Sequence, residues 1–199
     1  HHISTIEGGM VCTDNSDFAD VVKMIRSHGW DRDLSQDSKE KYRQKYGVDD
    51  FDSLYKFYYA GFNLRATDLQ AFIGLNQIPK INYISRTREE NYYDYYNNLN
   101  QKIWFPKPER TQEVISNMGF PLILENKQEV YRALTNKKIE CRPLVAGSMG
   151  LQPAWVNLYG EEPMVNASIV EKYGMYIPNH QDLRYKDIKR ICSIINRMV

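Results

Sequence analysis

The sequence predicts an α/β protein in two parts, the second of which is a small α+β region. Residues 9–13 have the character of a strand, and an amphipathic helix is predicted directly after them. A long helical stretch follows from about residue 80. Beyond the run Trp104-Phe105-Pro106-Lys107-Pro108, short strands alternate with helices. We therefore divide the chain into residues 1–100 and residues 101–199.

Composition and charge exclude several classes of protein. With 199 residues, 42% hydrophobic and 26% charged, the chain has an ordinary globular composition. The net charge is +1 and the basic residues are scattered, so no nucleic-acid partner is expected. Apolar runs such as residues 120–124 are too short to cross a bilayer, and we expect neither a membrane partner nor a signal peptide. Cys12, Cys141 and Cys192 are odd in number and far apart, which predicts buried free thiols in a reducing cytoplasm and no metal site.

The first predicted helix has signals at both of its ends. Residues 14–17, Asp-Asn-Ser-Asp, supply turn and N-cap chemistry, and Gly29 stands where a helix-ending glycine belongs. The apolar residues between them recur at helical spacing: Phe18, Val21, Val22 and Ile25. Residues 31–56 are polar without a sustained period, so we expect a surface excursion with one short helix.

A second helix is predicted from Thr67, because Thr67 and Gln70 have the spacing of a capping box. After Pro79, one face of a long helix is traced by Ile81, Ile84, Arg88, Tyr92, Tyr95 and Leu99. The tyrosine-rich tract at residues 91–98 has two interpretations, stacking on a base or sugar and packing in the core. Packing is favoured, because a helical tyrosine buries its ring and leaves its hydroxyl hydrated.

The remaining elements are short. Strands are predicted at residues 118–124, 139–142 and 175–180, where the last includes a turn, and residues 155–163 are expected to be a polar loop. Helices are predicted from Asn126, over residues 166–173, and at the C-terminus. The apolar face of the last helix consists of Tyr185, Ile188, Ile191, Cys192, Ile195 and Val199.

Residues 1–9, His-His-Ile-Ser-Thr-Ile-Glu-Gly-Gly, contain the strongest chemical pattern of the chain. The imidazoles of His1 and His2 titrate near neutrality and can therefore move protons at working pH. Gly8 and Gly9 permit a sharp turn or a close approach of the backbone. From the residues alone, a surface histidine pair, an accidental metal chelate or the stub of an expression tag remain alternatives.

The spacing of His1 to Glu7-Gly8-Gly9 resembles the active-site segment of the DegT/StrS family of nucleotide-sugar aminotransferases. The resemblance implies an aspartate-aminotransferase-like fold (fold type I) and a pyridoxal 5'-phosphate or pyridoxamine 5'-phosphate cofactor. The family places a Schiff-base lysine six residues before the glutamate, where this chain has His1. That substitution resembles the family's branch of GDP-4-keto-6-deoxymannose 3-dehydratases. His1 is then the implied catalytic base.

Two further motifs support the resemblance. Gly-Phe-Asn-Leu-Arg at residues 61–65 resembles a family element in which the asparagine reaches the cofactor phosphate of the neighbouring subunit and the arginine lies near the substrate. Asn63 and Arg65 occupy those positions; a surface turn before a helix cap is the alternative. Arg142 begins an Arg-Pro-apolar-apolar-Ala-Gly element and is a candidate ligand for glutamate or a nucleotide-sugar phosphate. Its alternative is a strand-end arginine paired with an acid.

The resemblance implies a dehydratase that converts a nucleotide-linked 4-keto-6-deoxyhexose, with GDP favoured, to a 3,6-dideoxy-4-ketohexose in lipopolysaccharide O-antigen biosynthesis. L-Glutamate is the implied amino donor, and the enzyme is expected to be a cytoplasmic homodimer with shared active sites. Iron–sulfur members of the histidine branch carry cysteines in the region of residues 31–56. This chain has none there, so no iron–sulfur cluster is expected.

Two alternatives to the dehydratase stay open. One is a nucleotide-sugar aminotransferase similar to perosamine synthases, and the other is a non-catalytic remnant. The resemblance also implies that the chain is the C-terminal half of a longer enzyme. Residues 1–100 would complete the large cofactor-binding domain with its connector helix, and residues 101–199 would form the small domain. The isolated segment is expected to be inactive.

Overall fold

The computed structural model describes residues 1–108 and 114–199, which form two compact units. The helical unit is Ser4–Gln77, and the sheet unit joins His1–Ile3 to Ile78–Val199. These units are defined by the contacts within each one and not by what each one binds. The assignment of residues 1–100 and 101–199 to two functional domains therefore stays a prediction.

The helical unit contains α1 (Ser16–Arg26), α2 (Gln36–Tyr46), a 3₁₀ turn (Asp52–Tyr55) and α3 (Asp68–Leu75). Helix α1 begins at Asn15, whose side chain accepts a hydrogen bond from the Phe18 amide at 2.9 Å, as its sequence predicts. At the other end His28 has a φ of 61°, and the Gly29 amide donates to the carbonyl of Met24 at 2.7 Å. His28 and Gly29 (φ 90°) both have positive φ, so the turn that ends the helix begins at His28 and Gly29 lies one position beyond the expected place.

The helical unit has its own small core of Met24, Leu34 and Tyr42. The buried carboxylate of Asp31 accepts a hydrogen bond from Arg43 Nε at 2.9 Å. Residues 31–56 therefore contain the predicted helix, α2, and also contribute to a core. They are more than a surface excursion.

The strand predicted at residues 9–13 is wrong, because these residues are exposed and irregular. A strand requires a hydrogen-bonded neighbour, and none of the strands in the described part of the chain pairs with them. The thiol of Cys12 lies in this segment and is exposed, contrary to expectation. Cys141 and Cys192 are buried and free, as predicted.

The helices of the sheet unit are α4 (Ile81–Asn98), α5 (Lys127–Asn136), α6 (Pro153–Tyr159), α7 (Val165–Tyr173) and α8 (Tyr185–Asn196). Its strands are β1 (Gly119–Ile123), β2 (Arg142–Pro143) and β3 (Gly174–Pro178). They form an antiparallel sheet in the order β1-β3-β2, with Phe120 opposite Ile177 and Arg142 opposite Tyr176. Short 3₁₀ turns lie at Ile78–Lys80 and Met149–Leu151.

Helix α6 corrects the expectation of a loop at residues 155–163. Pro153 stands in the first turn of α6 and Gly160 directly follows its last residue, which are signals for the start and end of a helix. The polar composition of the stretch concealed these signals.

No helix among residues 1–108 and 114–199 is both long and apolar enough to span a bilayer.

The core of the sheet unit is centred on Phe120, whose ring centroid lies 4.7 Å from that of Tyr92 and 5.0 Å from that of Tyr95. The Tyr95 hydroxyl donates to the carbonyl of Pro178 at 2.8 Å, and the Tyr92 hydroxyl to that of Pro106 at 2.7 Å. Burial of the ring with a satisfied hydroxyl confirms packing as the role of these tyrosines. Helix α8 adds the buried residues Ile188, Ile191, Cys192 and Ile195.

We expect Tyr95→Phe to lower the free energy of unfolding by about 1–2 kcal/mol, because the carbonyl of Pro178 loses its donor in a buried place. Tyr93→Phe is the matched control, since Tyr93 is 37% exposed on the same helix, and its effect should stay within about 0.5 kcal/mol. Urea denaturation of both variants measures the difference. Equal effects would contradict a structural role for the Tyr95 hydroxyl.

Candidate active site

The first residues of the chain lie against helix α4 of the sheet unit. Arg88 Nη2 donates a hydrogen bond to the backbone carbonyl of His1 at 3.0 Å. The His2 ring nitrogen Nε2 forms a hydrogen bond with Ser116 Oγ. The side chain of His1 is exposed, whereas that of His2 is half-buried. The backbone of His1 is therefore held while its imidazole stays accessible to a ligand.

Arg88 is a buried cation, only 6% exposed. Its Nε and Nη1 atoms have no hydrogen-bond partner among the residues that the structure describes. Burial lowers the pKa of Arg88 from its ordinary value. Polar groups in native proteins are rarely buried without hydrogen-bond partners. The two unpaired nitrogens of this guanidinium could therefore bind oxygen acceptors.

The pKa of His2 is lowered from its ordinary value, first by burial and then by the positive charge of Arg88. Both effects disfavour the charged imidazolium. The hydrogen bond to Ser116 acts in the opposite direction and raises the pKa. The neutral form of His2 is therefore the one that this environment favours.

Residues 4–9 belong to the helical unit and are held by two glutamines. The side-chain amide of Gln77 both donates to the carbonyl of Ser4 and accepts from its amide. Gln70 Nε2 donates to the carbonyl of Glu7 at 2.7 Å, while Gln70 also completes the predicted capping box with Thr67. Gln70 lies in the first turn of α3, and Gln77 lies in the turn just after its last residue, so the two ends of this helix hold the segment.

Between these anchors Ile6 has a φ of 76°. A β-branched residue in the left-handed region is strained, at a cost of roughly 1–3 kcal/mol. The turn before Gly8 and Gly9 is thus maintained at a non-glycine position. Strain of this kind persists only where surrounding contacts determine the backbone, and the glutamine contacts on both sides of Ile6 supply them.

Asn63 and Arg65 are exposed in the helical unit, just before α3. The backbone of Asn63 bridges to Ser27, which fixes the start of the element. The guanidinium of Arg65 lies 5.9 Å from the ring of Trp30. No hydrogen bond from either side chain to the described residues is found, so an amide and a guanidinium remain available for the oxygens of an anion.

Arg142 lies at the start of β2 and forms an ion pair with Glu140 at 2.6 Å, with both side chains exposed. This is the arrangement expected of a strand-end arginine paired with an acid. An exposed ion pair contributes little stability and can be exchanged for another anion. A role of Arg142 in ligand binding therefore stays a prediction.

Among the predicted site residues, His1 and Arg142 belong to the sheet unit and Asn63 and Arg65 to the helical unit. No hydrogen bond within the described residues joins any two of them. Sequence reasoning missed the residues that hold the His1–Gly9 segment: Arg88, Gln70 and Gln77. The seven-residue spacing of the two glutamines is a usable signal, whereas helical spacing places Arg88 on one face of α4 and gives no sign of its contact with His1.

Residues 1–196 match the DegT/DnrJ/EryC1/StrS aminotransferase family. The chain belongs to this family. The resemblance inferred from the His1–Glu7 spacing is confirmed. The predicted fold, that of pyridoxal 5'-phosphate (PLP)-dependent aminotransferases of fold type I, is also confirmed.

Several curated relatives are similar over most of the chain. It is 29% identical to GDP-4-keto-6-deoxy-D-mannose 3-dehydratase of Yersinia pseudotuberculosis, over 99% of this chain and 51% of the relative. It is 26% identical to a UDP-4-amino-4,6-dideoxy-N-acetyl-beta-L-altrosamine transaminase of Campylobacter jejuni, over 94% of this chain and 46% of the relative. The lipopolysaccharide biosynthesis protein RfbH of Salmonella typhimurium is 28% identical over 79% of this chain and 39% of its own length.

Solved structures share the fold at a similar level. The Escherichia coli GDP-4-keto-6-deoxy-D-mannose-3-dehydratase with bound hydrated PLP superposes with a TM-score of 0.84 at 26% identity, over 98% of this chain and 51% of that one. A GDP-4-keto-6-deoxymannose-3-dehydratase with a trapped PLP-glutamate geminal diamine has a TM-score of 0.83 at 26% identity, over 98% and 52%. The chain spans about half the length of the curated relatives it matches.

The lowered pKa of His2 predicts a pH dependence of stability. The unfolded chain, with a histidine pKa near 6.5, binds the proton more readily than the folded chain. Stability should therefore fall as the pH is lowered from about 7.5 through 6.5 towards the folded pKa of His2. His2→Gln should remove this component. Urea unfolding at about pH 7.5 and about pH 5.5 measures it, and equal pH dependence in both proteins would contradict the assignment.

Proposed function

We propose that the complete gene product containing this chain is a PLP/PMP-dependent nucleotide-sugar 3-dehydratase. Its substrate would be a GDP-linked 4-keto-6-deoxyhexose, its co-substrate L-glutamate, and its product a 3,6-dideoxy-4-ketohexose for lipopolysaccharide O-antigen. The observation that carries the proposal is His1 at the place of the family's Schiff-base lysine. An imidazole cannot form an imine, but it can accept and deliver a proton near neutral pH.

In this proposal His1 is the catalytic base. Its exposed imidazole would accept, at one ring nitrogen, the proton lost from the C4′ carbon of the cofactor and would deliver it to the departing C3 hydroxyl, while Arg88 holds its backbone. The bound cofactor would supply the amine and the electron-withdrawing ring that make the C4′ proton acidic. In the net reaction the sugar exchanges its C3 hydroxyl for hydrogen, and glutamate becomes 2-oxoglutarate and ammonia.

The donor chemistry of the described residues fits the cofactor and the substrates. Asn63 presents an exposed amide that would bind the cofactor phosphate of the neighbouring subunit. Arg65 and Arg142 present guanidinium groups suited to phosphate or to the glutamate carboxylate. Because His1 cannot form the covalent attachment that the family's lysine makes, contacts to the phosphate would have to hold the cofactor.

We also propose a homodimer with shared sites, located in the cytoplasm. Helix α3 exposes the large apolar side chains of Leu69, Phe72 and Leu75, each more than 60% accessible in the single chain. Apolar patches of this kind are typical of protein–protein contacts. The buried free thiols of Cys141 and Cys192 support a reducing compartment.

An aminotransferase is the second candidate, supported by the similarity to the Campylobacter jejuni transaminase. It would transfer the amino group to the sugar and retain the C3 oxygen. The residue at position 1 discriminates the two candidates, because plain transamination in this family uses the lysine that His1 replaces.

Incubation of the complete gene product with PLP, glutamate and GDP-4-keto-6-deoxymannose tests the function. We expect loss of the C3 oxygen and release of ammonia, detected by mass spectrometry and an ammonia assay. His1→Lys should lose dehydration and gain a 4-amino sugar product. A 4-amino sugar from the unaltered protein would instead establish the aminotransferase. Absence of cofactor binding would indicate a non-catalytic protein.

Subunit complementation tests the shared site. His1→Asn and Asn63→Ala should each be nearly inactive, because one lacks the base and the other a phosphate ligand. If His1 and Asn63 serve one site from different subunits, mixed dimers contain one intact site. Refolding an equal mixture should then restore about a quarter of the unaltered activity.

Asn157→Ala is the matched control for Asn63→Ala, because Asn157 is exposed and lies outside the proposed site. It should keep full activity by itself. Complete failure of complementation, with both inactive variants folded and dimeric, would place His1 and Asn63 in one subunit's site.

A further inference from the structure

Arg88 is a buried charged side chain whose contacts are not explained by core packing. It lies in the middle of helix α4, is 6% exposed, and has no carboxylate in contact among the described residues. Among the described residues, its side chain donates a hydrogen bond from Nη2 to the carbonyl of His1. Two further donor nitrogens are buried beside that contact without acceptors.

Such an arrangement is costly, since a buried cation without an anionic partner loses hydration that nothing else replaces. A leucine or methionine would fill the same place in the apolar face of α4 without this cost. The guanidinium is therefore better explained by its contact with the backbone of His1 than by packing.

The backbone of Arg88 is held in place by buried hydrogen bonds. Its own carbonyl accepts a hydrogen bond from Asn179 Nδ2 at 3.1 Å, and Asn179 is fully buried. Asn179 also donates to the carbonyl of Asn117 and accepts from Asn91 Nδ2 at 3.2 Å. This buried amide network fixes the Cα of Arg88 relative to the sheet, so a fixed backbone carries the guanidinium towards His1.

We propose that Arg88 is a positioning residue, which holds the backbone of His1 so that its imidazole is aligned for proton transfer. The inference rests on the proposed function of His1 as the base. Alignment matters because a displacement of about 1 Å at a reacting group can cost about 100-fold in rate. Arginine suits the role because its planar fork directs several donors at once, whereas lysine offers a single mobile charge.

Steady-state kinetics of three variants of the complete gene product tests the proposal. Arg88→Met should lower kcat about 10- to 100-fold with KM changed by less than about threefold, since substrate contacts remain. Arg88→Lys should fall between Arg88→Met and the unaltered protein. Arg86→Met is the matched control, because Arg86 is exposed on the same helix; its kcat should stay within about twofold.

Nuclear magnetic resonance of ¹⁵N-histidine-labelled protein supplies a measurement independent of turnover. Single substitutions can assign the signals of the 4 histidines that belong to this chain. Arg88→Met should shift the ring signals of His1 and His2 and raise the pKa of His2, because a nearby positive charge is removed. Arg86→Met should leave these signals in place.

The outcomes separate the two proposals. If the unaltered protein forms no 3-deoxy product, the proposed function fails, while the histidine signals still decide whether Arg88 orders the His1 segment. If Arg88→Met does not fold, Arg88→Lys decides: lowered kcat with an unchanged melting temperature supports positioning. Unchanged kcat and unchanged histidine signals in a folded Arg88 variant would overturn it.

Discussion

The packing of Tyr92 and Tyr95 around Phe120 is the contact on which the sheet unit depends. It fixes helix α4 against the sheet, and the two tyrosine hydroxyls prevent sliding by donating to backbone carbonyls of Pro106 and Pro178. The same helix presents Arg88 to His1 one to two turns earlier. The position of the proposed base is thereby a consequence of core packing, since both depend on the placement of one helix.

The His1–Gly9 segment is ordered mainly through its backbone. Arg88 binds the carbonyl of His1, Gln77 binds both polar backbone groups of Ser4, and Gln70 binds the carbonyl of Glu7. Backbone contacts of this kind leave the side chains of the segment free for chemistry. They also account for the strained φ of Ile6, which lies between anchored residues.

Asn63, Arg65 and Arg88 each have side-chain nitrogen donors that lack an acceptor among the described residues. Asn63 and Arg65 are exposed next to α3, and the guanidinium of Arg88 is buried beside His1. Each is a nitrogen donor, which suits a cofactor phosphate, a diphosphate or a carboxylate. In the function we propose, these donors matter because a cofactor that His1 cannot hold covalently would have to be retained by polar contacts.

The sequence by itself determined the features that depend on near neighbours. The Thr67–Gln70 capping box, the helical period of α4 and the six-residue step from His1 to Glu7 are local, and they predicted a helix start, a buried helix face and the family. Only the tertiary structure decided the contacts between distant residues. Arg88 and His1 are 87 positions apart, and residues 9–13 could not be known to lack a strand partner. The physical reason is that burial and pairing depend on which distant segments meet, and local periodicity does not record this.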